Sequence, residues 1–353
     1  MVILIGTKGQ LVKVAPVMKE LQDRNIPYKY VQTDQHPNFN RELEGKFGLK
    51  PPDLNLWKGK KDLVKIWQLP IWFLTCFINA LRHRKFFAGE KILVTHGDTI
   101  STLFACLVGR IYSLKIAHIE AGLRSFNIFH PFPEELVRRI SSKLAHILFA
   151  PSDWAAGNLQ RERGKVINTR QNTVYDTLAI YVKKRPDKEK EKYVVVAIHR
   201  QETIYNYRRL KKAIDTVLAV AKNFSIIYIL HKTSEHQLKQ FGLYDKIKTN
   251  PNIRLIGYLD YITFMNLVGN CEFVISDGGG LQEETYFLDV PCLILRNRTE
   301  REIGLNETAW LSEFKDERID YFLTHYQQFH RKKEFVRWYP SKIIVDELIK
   351  YEK

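Results

Sequence analysis

Short apolar runs rich in β-branched residues alternate with segments of helical period through most of the chain, and this alternation limits the fold more than any other feature. It is the pattern of βαβ units around a parallel sheet. In the first half, Val2–Gly6, Ile92–His96, Leu114–Glu120 and His146–Ala150 read as strands, with helices over Leu11–Arg24, Ser101–Arg110 and Glu134–Leu144. A charged stretch, Lys183–Lys192 (KKRPDKEKEK), breaks the pattern and reads as a solvated linker. The alternation restarts with strands over Tyr193–Ile198, Ser225–Leu230, Phe273–Asp277 and Pro291–Leu295, and helices over Tyr205–Lys222 and Gly280–Phe287. The expectation is an α/β protein of two Rossmann-like domains, residues 1–170 and 171–335, with 336–353 as a C-terminal helix returning to the first. A chain of 353 residues, 45% of them hydrophobic, can bury two such cores.

Bulk charge narrows the partners. The formal net charge of +16 suits nucleic acid, an anionic membrane surface or a polyphosphate ligand. No helix-turn-helix, zinc finger or RNP-like strand accompanies it, which leaves the membrane and the phosphate. The four cysteines, Cys76, Cys106, Cys271 and Cys292, are far apart and in or beside apolar stretches, without metal spacing. They read as buried thiols of a reducing compartment. MVILIG at the N-terminus runs straight into a strand without the basic start of a secretory signal, so a cytoplasmic location is expected.

Two open α/β sheets place their ligand sites at the carboxyl ends of strands, and each candidate motif begins where a strand stops. Gly6-Thr7-Lys8-Gly9-Gln10 follows the first strand, where a helix N-terminus offers backbone N–H groups to an anion and Lys8 and Lys13 add charge. A βα turn containing glycine is also often only a turn. His96-Gly97-Asp98-Thr99 puts a carboxylate on a loop, where it serves as acid or base or caps the next helix. Glu120 closes a strand in Ile119–Arg124 (IEAGLR). Glu134 opens a helix in Pro131–Glu135 (PFPEE), as a dipole-compensating residue and a possible i,i+4 partner of Arg138. Three acids converging from strand ends would raise one another's pKa and make proton donors available near neutrality.

In the second half, His199-Arg200-Gln201-Glu202 ends the first strand and fits a phosphate clamp facing the interdomain cleft. Gly278, Gly279 and Gly280 lie between a strand and a helix, where the backbone can approach a pyrophosphate closely. Glu284, one turn into that helix, is placed to bind ribose hydroxyls, and Arg296, Arg298 and Arg301 add cations after the next strand.

Taken in order, these segments resemble the UDP-N-acetylglucosamine 2-epimerase family, whose two-domain architecture is GT-B-like. The match spans most of the chain: TDQH at Thr33–His36, HGDT, IEAGLR, PFPEE, NTVYDTL at Asn172–Leu178, HRQE, GYLDY at Gly257–Tyr261, GGLQEE and RTER. HGDT, IEAGLR and Gln35-His36 are similar to the non-hydrolysing branch, in which Gln35 and His36 would belong to the second-substrate, allosteric site. The resemblance implies interconversion of UDP-GlcNAc and UDP-ManNAc by elimination of UDP to a 2-acetamidoglucal and re-addition on the other face. It assigns Asp98, Glu120 and Glu134 to acid–base and charge-stabilising work. It gives His199 to the departing diphosphate, assisted by Lys13 and the glycine turn, Arg138 to sugar or phosphate, and Glu284 to the ribose. No metal or nicotinamide is implied, and a homodimer is.

The chain departs from that pattern in places. Lys8-Gly9-Gln10 stands where Arg-Pro-Glu is usual, exchanging a bidentate fork for a point charge and removing a carboxylate. Gly278 replaces a serine, Glu302 a proline and Lys143 a histidine. The largest departure is Trp57–Phe87, where Leu69–Leu81 is almost uninterrupted apolar and flanked by Lys58, Lys60, Lys61, Lys65 and by Arg82, His83, Arg84, Lys85. The run is too short to span a bilayer. It reads either as a basic-flanked interfacial anchor or as a helix packed against the sheet or a dimer partner. A peripheral-membrane GT-B glycosyltransferase with a lipid-linked acceptor is the alternative enzyme. A UDP-sugar-binding regulator is the non-enzymatic one, and retention of Asp98, Glu120, Glu134 and His199 argues against it.

Overall fold

Apolar four-residue runs with no polar face become strands buried on both sides, the condition of a parallel sheet covered by helices. The computed structural model describes residues 1–34, 37–57, 59, 68–128, 133–183, 192–299, 301–331 and 336–352. These form two units, Met1–Ile180 with Arg337–Lys353, and Tyr181–Val336. Residues 184–191 of the expected linker lie outside the described residues.

The first unit holds β1 (Val2–Ile5), β2 (Lys29–Gln32), β3 (Leu54–Asn55), β4 (Ile92–His96), β5 (Lys115–Ile119), β6 (Ile147–Ala150) and β7 (Lys165–Asn168), in the order β3-β2-β1-β4-β5-β6-β7. The second holds β8 (Tyr193–Ala197), β9 (Ser225–Ile229), β10 (Ile253–Ile256), β11 (Phe273–Ser276), β12 (Cys292–Ile294) and β13 (Ala309–Leu311), in the order β10-β9-β8-β11-β12-β13. Every neighbouring pair is parallel. Strand order reverses between β1 and β4 in the first sheet and between β8 and β11 in the second. Loops leaving adjacent strands in opposite directions open a crevice at such a point.

Sequence periodicity located the inner strands to within one or two residues, but not the short β2, β3, β7, β10 and β13. Lys29–Gln32 (KYVQ) shows why: two of its four residues are polar, and its burial comes from what packs on it. The helix read over Tyr205–Lys222 runs from Tyr207 to Val220, because Asn206 caps it by accepting Arg209 N–H at 3.1 Å. A separate helical turn, Gln201–Ile204, precedes it. The helix Pro340–Leu348 lies against helix Lys8–Asp23, where Asp346 accepts from Arg24 at 2.5 Å, and Ser341 N–H donates to Asp176 at 2.8 Å.

The apolar run becomes the helix Gln68–Arg82 and packs on the first sheet with one face. Trp72, Cys76 and Ala80 are buried with Val2, Leu4, Leu93 and Phe104, and Trp72 Nε1 donates to Thr33 O at 2.8 Å. Its other face stays outside. Lys58, Lys60, Lys61, Lys65 and Trp67 lie outside the described residues. No helix among the described residues is long and apolar enough to cross a membrane.

Candidate active site

The β1 and β4 loops are welded by one side chain. A Cβ on Gly6 would stand 2.0 Å from Thr33 Oγ1 and 2.2 Å from Ser101 Oγ, so only glycine fits that turn. Thr7 caps helix Lys8–Asp23, and Gln10, three residues on, completes a capping box. Gln10 Oε1 accepts from Gly6 N at 2.9 Å and Thr7 N at 3.2 Å, while its Nε2 donates to His96 O at 2.6 Å and Thr102 Oγ1 at 3.0 Å. The backbone donors of Gly6 and Thr7 are therefore occupied from within, and an anion at this turn has fewer N–H groups than the sequence suggested. The Gln10 amide has a mechanical reason: a carboxylate cannot donate to the His96 carbonyl.

Glu120 follows β5 in left-handed backbone conformation, φ 63°, an uncommon state for a side chain of its size. Its Oε1 accepts from Lys13 Nζ and from Asn172 Nδ2, both at 2.5 Å, and its Oε2 lies 3.3 Å from His96 Nε2. The carboxylate is 8% exposed. Among the described residues neither ring nitrogen of His96 has a hydrogen-bond partner. Burial pushes His96 down to about 4 against the pull of Glu120, so the imidazole is neutral at ordinary pH. His118, buried beside it, is also lowered by burial, and its Nε2 meets Gly97 O at 2.6 Å. The backbone turns tightly after Glu120: a Cβ on Gly122 would meet Ala155 O at 2.1 Å, and φ there is 87°. A recess lined by Ile119, Glu120, Pro151, Thr169 and Asn172 adjoins the carboxylate.

Asp98 does not cap the following helix. Thr99 takes that position, with its N–H donating to Thr102 Oγ1 at 3.2 Å. Asp98 Oδ2 instead receives Arg138 Nε at 2.8 Å and Nη2 at 2.6 Å, so the anticipated Glu134–Arg138 pair is replaced by Asp98–Arg138. Glu134 begins helix Glu134–Leu144, and its buried Oε2 has no hydrogen-bond partner among the described residues. Glu135 is the structural acid of the two. Its fully buried side chain accepts from Ser125 N at 2.9 Å and Arg139 Nε at 3.0 Å, and lies 3.6 Å from Arg138 Nη1. Burial raises the Glu135 carboxyl, but those donors outweigh it and the net direction is down.

In the second unit, buried Asp277 at the end of β11 accepts His199 N at 3.0 Å and Arg200 N at 2.9 Å, tying the β8 and β11 loops together. His199 packs on His231, ring centroids 4.9 Å apart, and stays 42% exposed. Burial and Arg200 lower His199, while Asp277 raises it less. Gly278 occupies the N-cap of helix Gly279–Leu288 in extended conformation. A Cβ there would lie 3.4 Å from His199 Cε1, so the glycine leaves the space above the ring open. Glu284 accepts from Tyr261 OH at 2.9 Å. Two of the three arginines are not free cations: Arg296 is buried and donates to Glu202 at 2.9 Å, and Arg301 pairs with Glu283. Gln282 straps the loop to its helix by donating to Arg301 O at 3.0 Å and Ile303 O at 2.9 Å.

The profile of the UDP-N-acetylglucosamine 2-epimerase family matches residues 19–337. The chain belongs to the UDP-N-acetylglucosamine 2-epimerase family. A relative of that description from Methanocaldococcus jannaschii is 30% identical over 335 residues, 86% of each chain. The crystal structure of the Methanocaldococcus jannaschii UDP-GlcNAc 2-epimerase in complex with UDP-GlcNAc and UDP superposes with TM-score 0.78 at 27% identity, covering 99% of both chains. That from Neisseria meningitidis bound to UDP-GlcNAc gives 0.79 at 27% identity, again over 99% of both. The two-unit α/β, GT-B-like fold class expected from the sequence stands with these epimerases.

Within this epimerase family member, Lys13, Asp98, Glu120, Glu134 and Arg138 all come from the loops and first two helical turns at the carboxyl ends of the first sheet. His199, Arg200 and Gly278–Gly280 do so in the second. Lys8 sits half-buried at the start of its helix. Gln35, His36, His130, Phe132 and Glu300 lie outside the described residues. His96, Asn172 and Asp277 were not singled out from sequence. His96 and Asn172 stood inside the quoted motifs HGDT and NTVYDTL, and Asp277 beside the glycines, so position in a motif was the available signal. Among the described residues no group of three His, Cys, Asp or Glu side chains is arranged for a metal ion.

Proposed function

We propose that this epimerase interconverts UDP-GlcNAc and UDP-ManNAc by eliminating and re-adding UDP. One observation carries the reading: a buried carboxylate, Glu120, is held by Lys13 and Asn172 at the carboxyl end of β5, the β4 loop carries Arg138-bound Asp98, and Glu134 Oε2 has no hydrogen-bond partner among the described residues. The C2 proton of the sugar is not acidic by itself. Cleavage of the C1–O bond builds positive charge at the ring, and UDP carries the bonding pair away. A carboxylate then removes the C2 proton, leaving the glycal, and the reverse sequence on the other face gives the epimer. Asp98, Glu120 and Glu134 form the acid–base group. His199, with Arg200 and the Gly278–Gly280 turn, takes the diphosphate. Arg138 contacts sugar or phosphate, Glu284 the ribose, and Gln35 and His36 a second nucleotide.

The same reading covers context. The product is a precursor for surface polysaccharide, the enzyme is a cytoplasmic homodimer, and residues 57–87 bring it to an anionic membrane surface. The test of chemistry is incubation with UDP-GlcNAc in D2O and NMR at C2. Deuterium at C2 together with UDP-ManNAc is expected. An inert C2 in protein that binds UDP would refute the reaction.

A further inference from the structure

The helix Gln68–Arg82 is apolar on two opposite faces, and only one of them is used by the fold. Trp72, Cys76 and Ala80 are 0–2% exposed and join the core of the first unit. Ile71 (54% exposed), Leu74 (59%), Ile78 (40%) and Leu81 (45%) point outward. At about 100° per residue these four fall within roughly 80° of one another, centred opposite the buried three. They form a straight outward ridge about 15 Å long at 1.5 Å per residue. An exposed stripe of large aliphatic side chains is not what a solvated helix carries.

Charge says what covers it. Arg82, His83, Arg84 and Lys85 follow the ridge at its C-terminal end, and all four are exposed. The sequence from Leu63 to Gly89 contains no aspartate or glutamate, so no residue of the helix repels an anionic surface. The helix is 15 residues long, too short to cross a bilayer, and Trp72 fixes it flat against the sheet by its hydrogen bond to Thr33 O. Apolar ridge, basic end and an orientation parallel to the protein surface are the attributes of an interfacial helix that dips its side chains below lipid headgroups.

We propose that the outward face of this helix, Ile71, Leu74, Ile78 and Leu81 with Arg82, Arg84 and Lys85, docks unit one onto an anionic lipid bilayer. The assignment rests on the proposed membrane association and names the face that makes it. Leu and Ile side chains enter the acyl boundary while the guanidinium and ammonium groups meet phosphate headgroups.

The experiment is flotation with vesicles of phosphatidylcholine containing about one-third phosphatidylglycerol, against pure phosphatidylcholine, at low and high salt. Wild type is expected to float with the anionic vesicles and to be released by salt. Leu74→Ser with Ile78→Ser is expected to lower the bound fraction at least about tenfold, the loss of two buried aliphatic contacts. Arg82→Gln with Arg84→Gln and Lys85→Gln is expected to abolish the preference for anionic lipid. Both sets lie on exposed positions away from the carboxylates, so turnover of free UDP-GlcNAc should be unchanged and reports folding; Leu74→Ser alone serves if the pair lowers solubility. Wild type that ignores every vesicle overturns the membrane association itself. Wild type that floats together with an equally buoyant Leu74→Ser/Ile78→Ser variant overturns only the choice of face. A variant that becomes monomeric by light scattering from a dimeric wild type, with vesicle binding intact, gives the face to a second copy of the chain and overturns the proposal.

Discussion

Replacing Gln10 by glutamate changes one donor into an acceptor and adds one charge at a site 2% exposed. Glutamate is also the residue the family resemblance would put there. In the native loop, Gln10 Nε2 donates to His96 O at 2.6 Å and to Thr102 Oγ1 at 3.0 Å. An ionised carboxylate presents a lone pair to the His96 carbonyl instead. Two hydrogen bonds are lost, each worth a net of about 1 kcal/mol, and a charge is buried with backbone amides as its donors. The Gly6 and Thr7 amides offset part of that desolvation, which leaves a cost of about 2–4 kcal/mol for the ionised form. The neutral acid keeps an O–H donor toward His96 O and costs about 1 kcal/mol or less. The gap between the two forms must emerge as a folded-state pKa raised by about two units over the ordinary value near 4.3. For an acid whose folded pKa is raised, the unfolded chain gives up its proton first. Stability is then within about 1 kcal/mol of wild type below about pH 4.3 and falls as pH rises through the folded value, reaching a deficit of about 3 kcal/mol by pH 8. Urea titrations of both proteins across that range, followed by the fluorescence of Trp72 and Trp154 in the first unit, give the difference curve. A deficit that is zero, or that is the same at every pH, would refute the claim that the amide nitrogen is what joins the two loops.

Two further outcomes follow from the same region. His96 is moved from an ordinary 6.5 down to about 4 by burial; the unfolded chain takes up this proton below about 6.5 and the folded chain does not. Stability should therefore fall by about 3 kcal/mol as pH drops from 6.5 to 4, and His96→Gln should remove that part of the slope in urea titrations. An unchanged slope would mean the ring protonates in place. Asn172→Ala removes the donor at 2.5 Å from Glu120 Oε1; kcat should fall about ten- to a hundredfold with KM little changed, at a stability cost of about 1 kcal/mol. Lost stability with full kcat would make Asn172 a purely structural residue.

Chain order and residue type determined much of this protein. Alternating apolar runs and helical periods specify a doubly wound sheet twice over. A doubly wound sheet puts its crevice at the carboxyl ends of the strands, so strand ends alone place Asp98, Glu120 and His199 on loops there, and Lys13 in the helix after β1. Local pattern carries this because strand burial and βα connection are set by residues near one another. What each side chain holds was decided by tertiary structure. Arg138 is four residues from Glu134 and forty from Asp98, yet it binds Asp98, since the β4 loop faces the start of helix Glu134–Leu144. Gln10 looked like a lost carboxylate and is a buried strut, because its partners lie 86 and 92 residues away. The helix Gln68–Arg82 reads as uniformly apolar in one dimension. Only packing separates the face that Trp72 buries from the ridge of Ile71, Leu74, Ile78 and Leu81 that the fold leaves to something else.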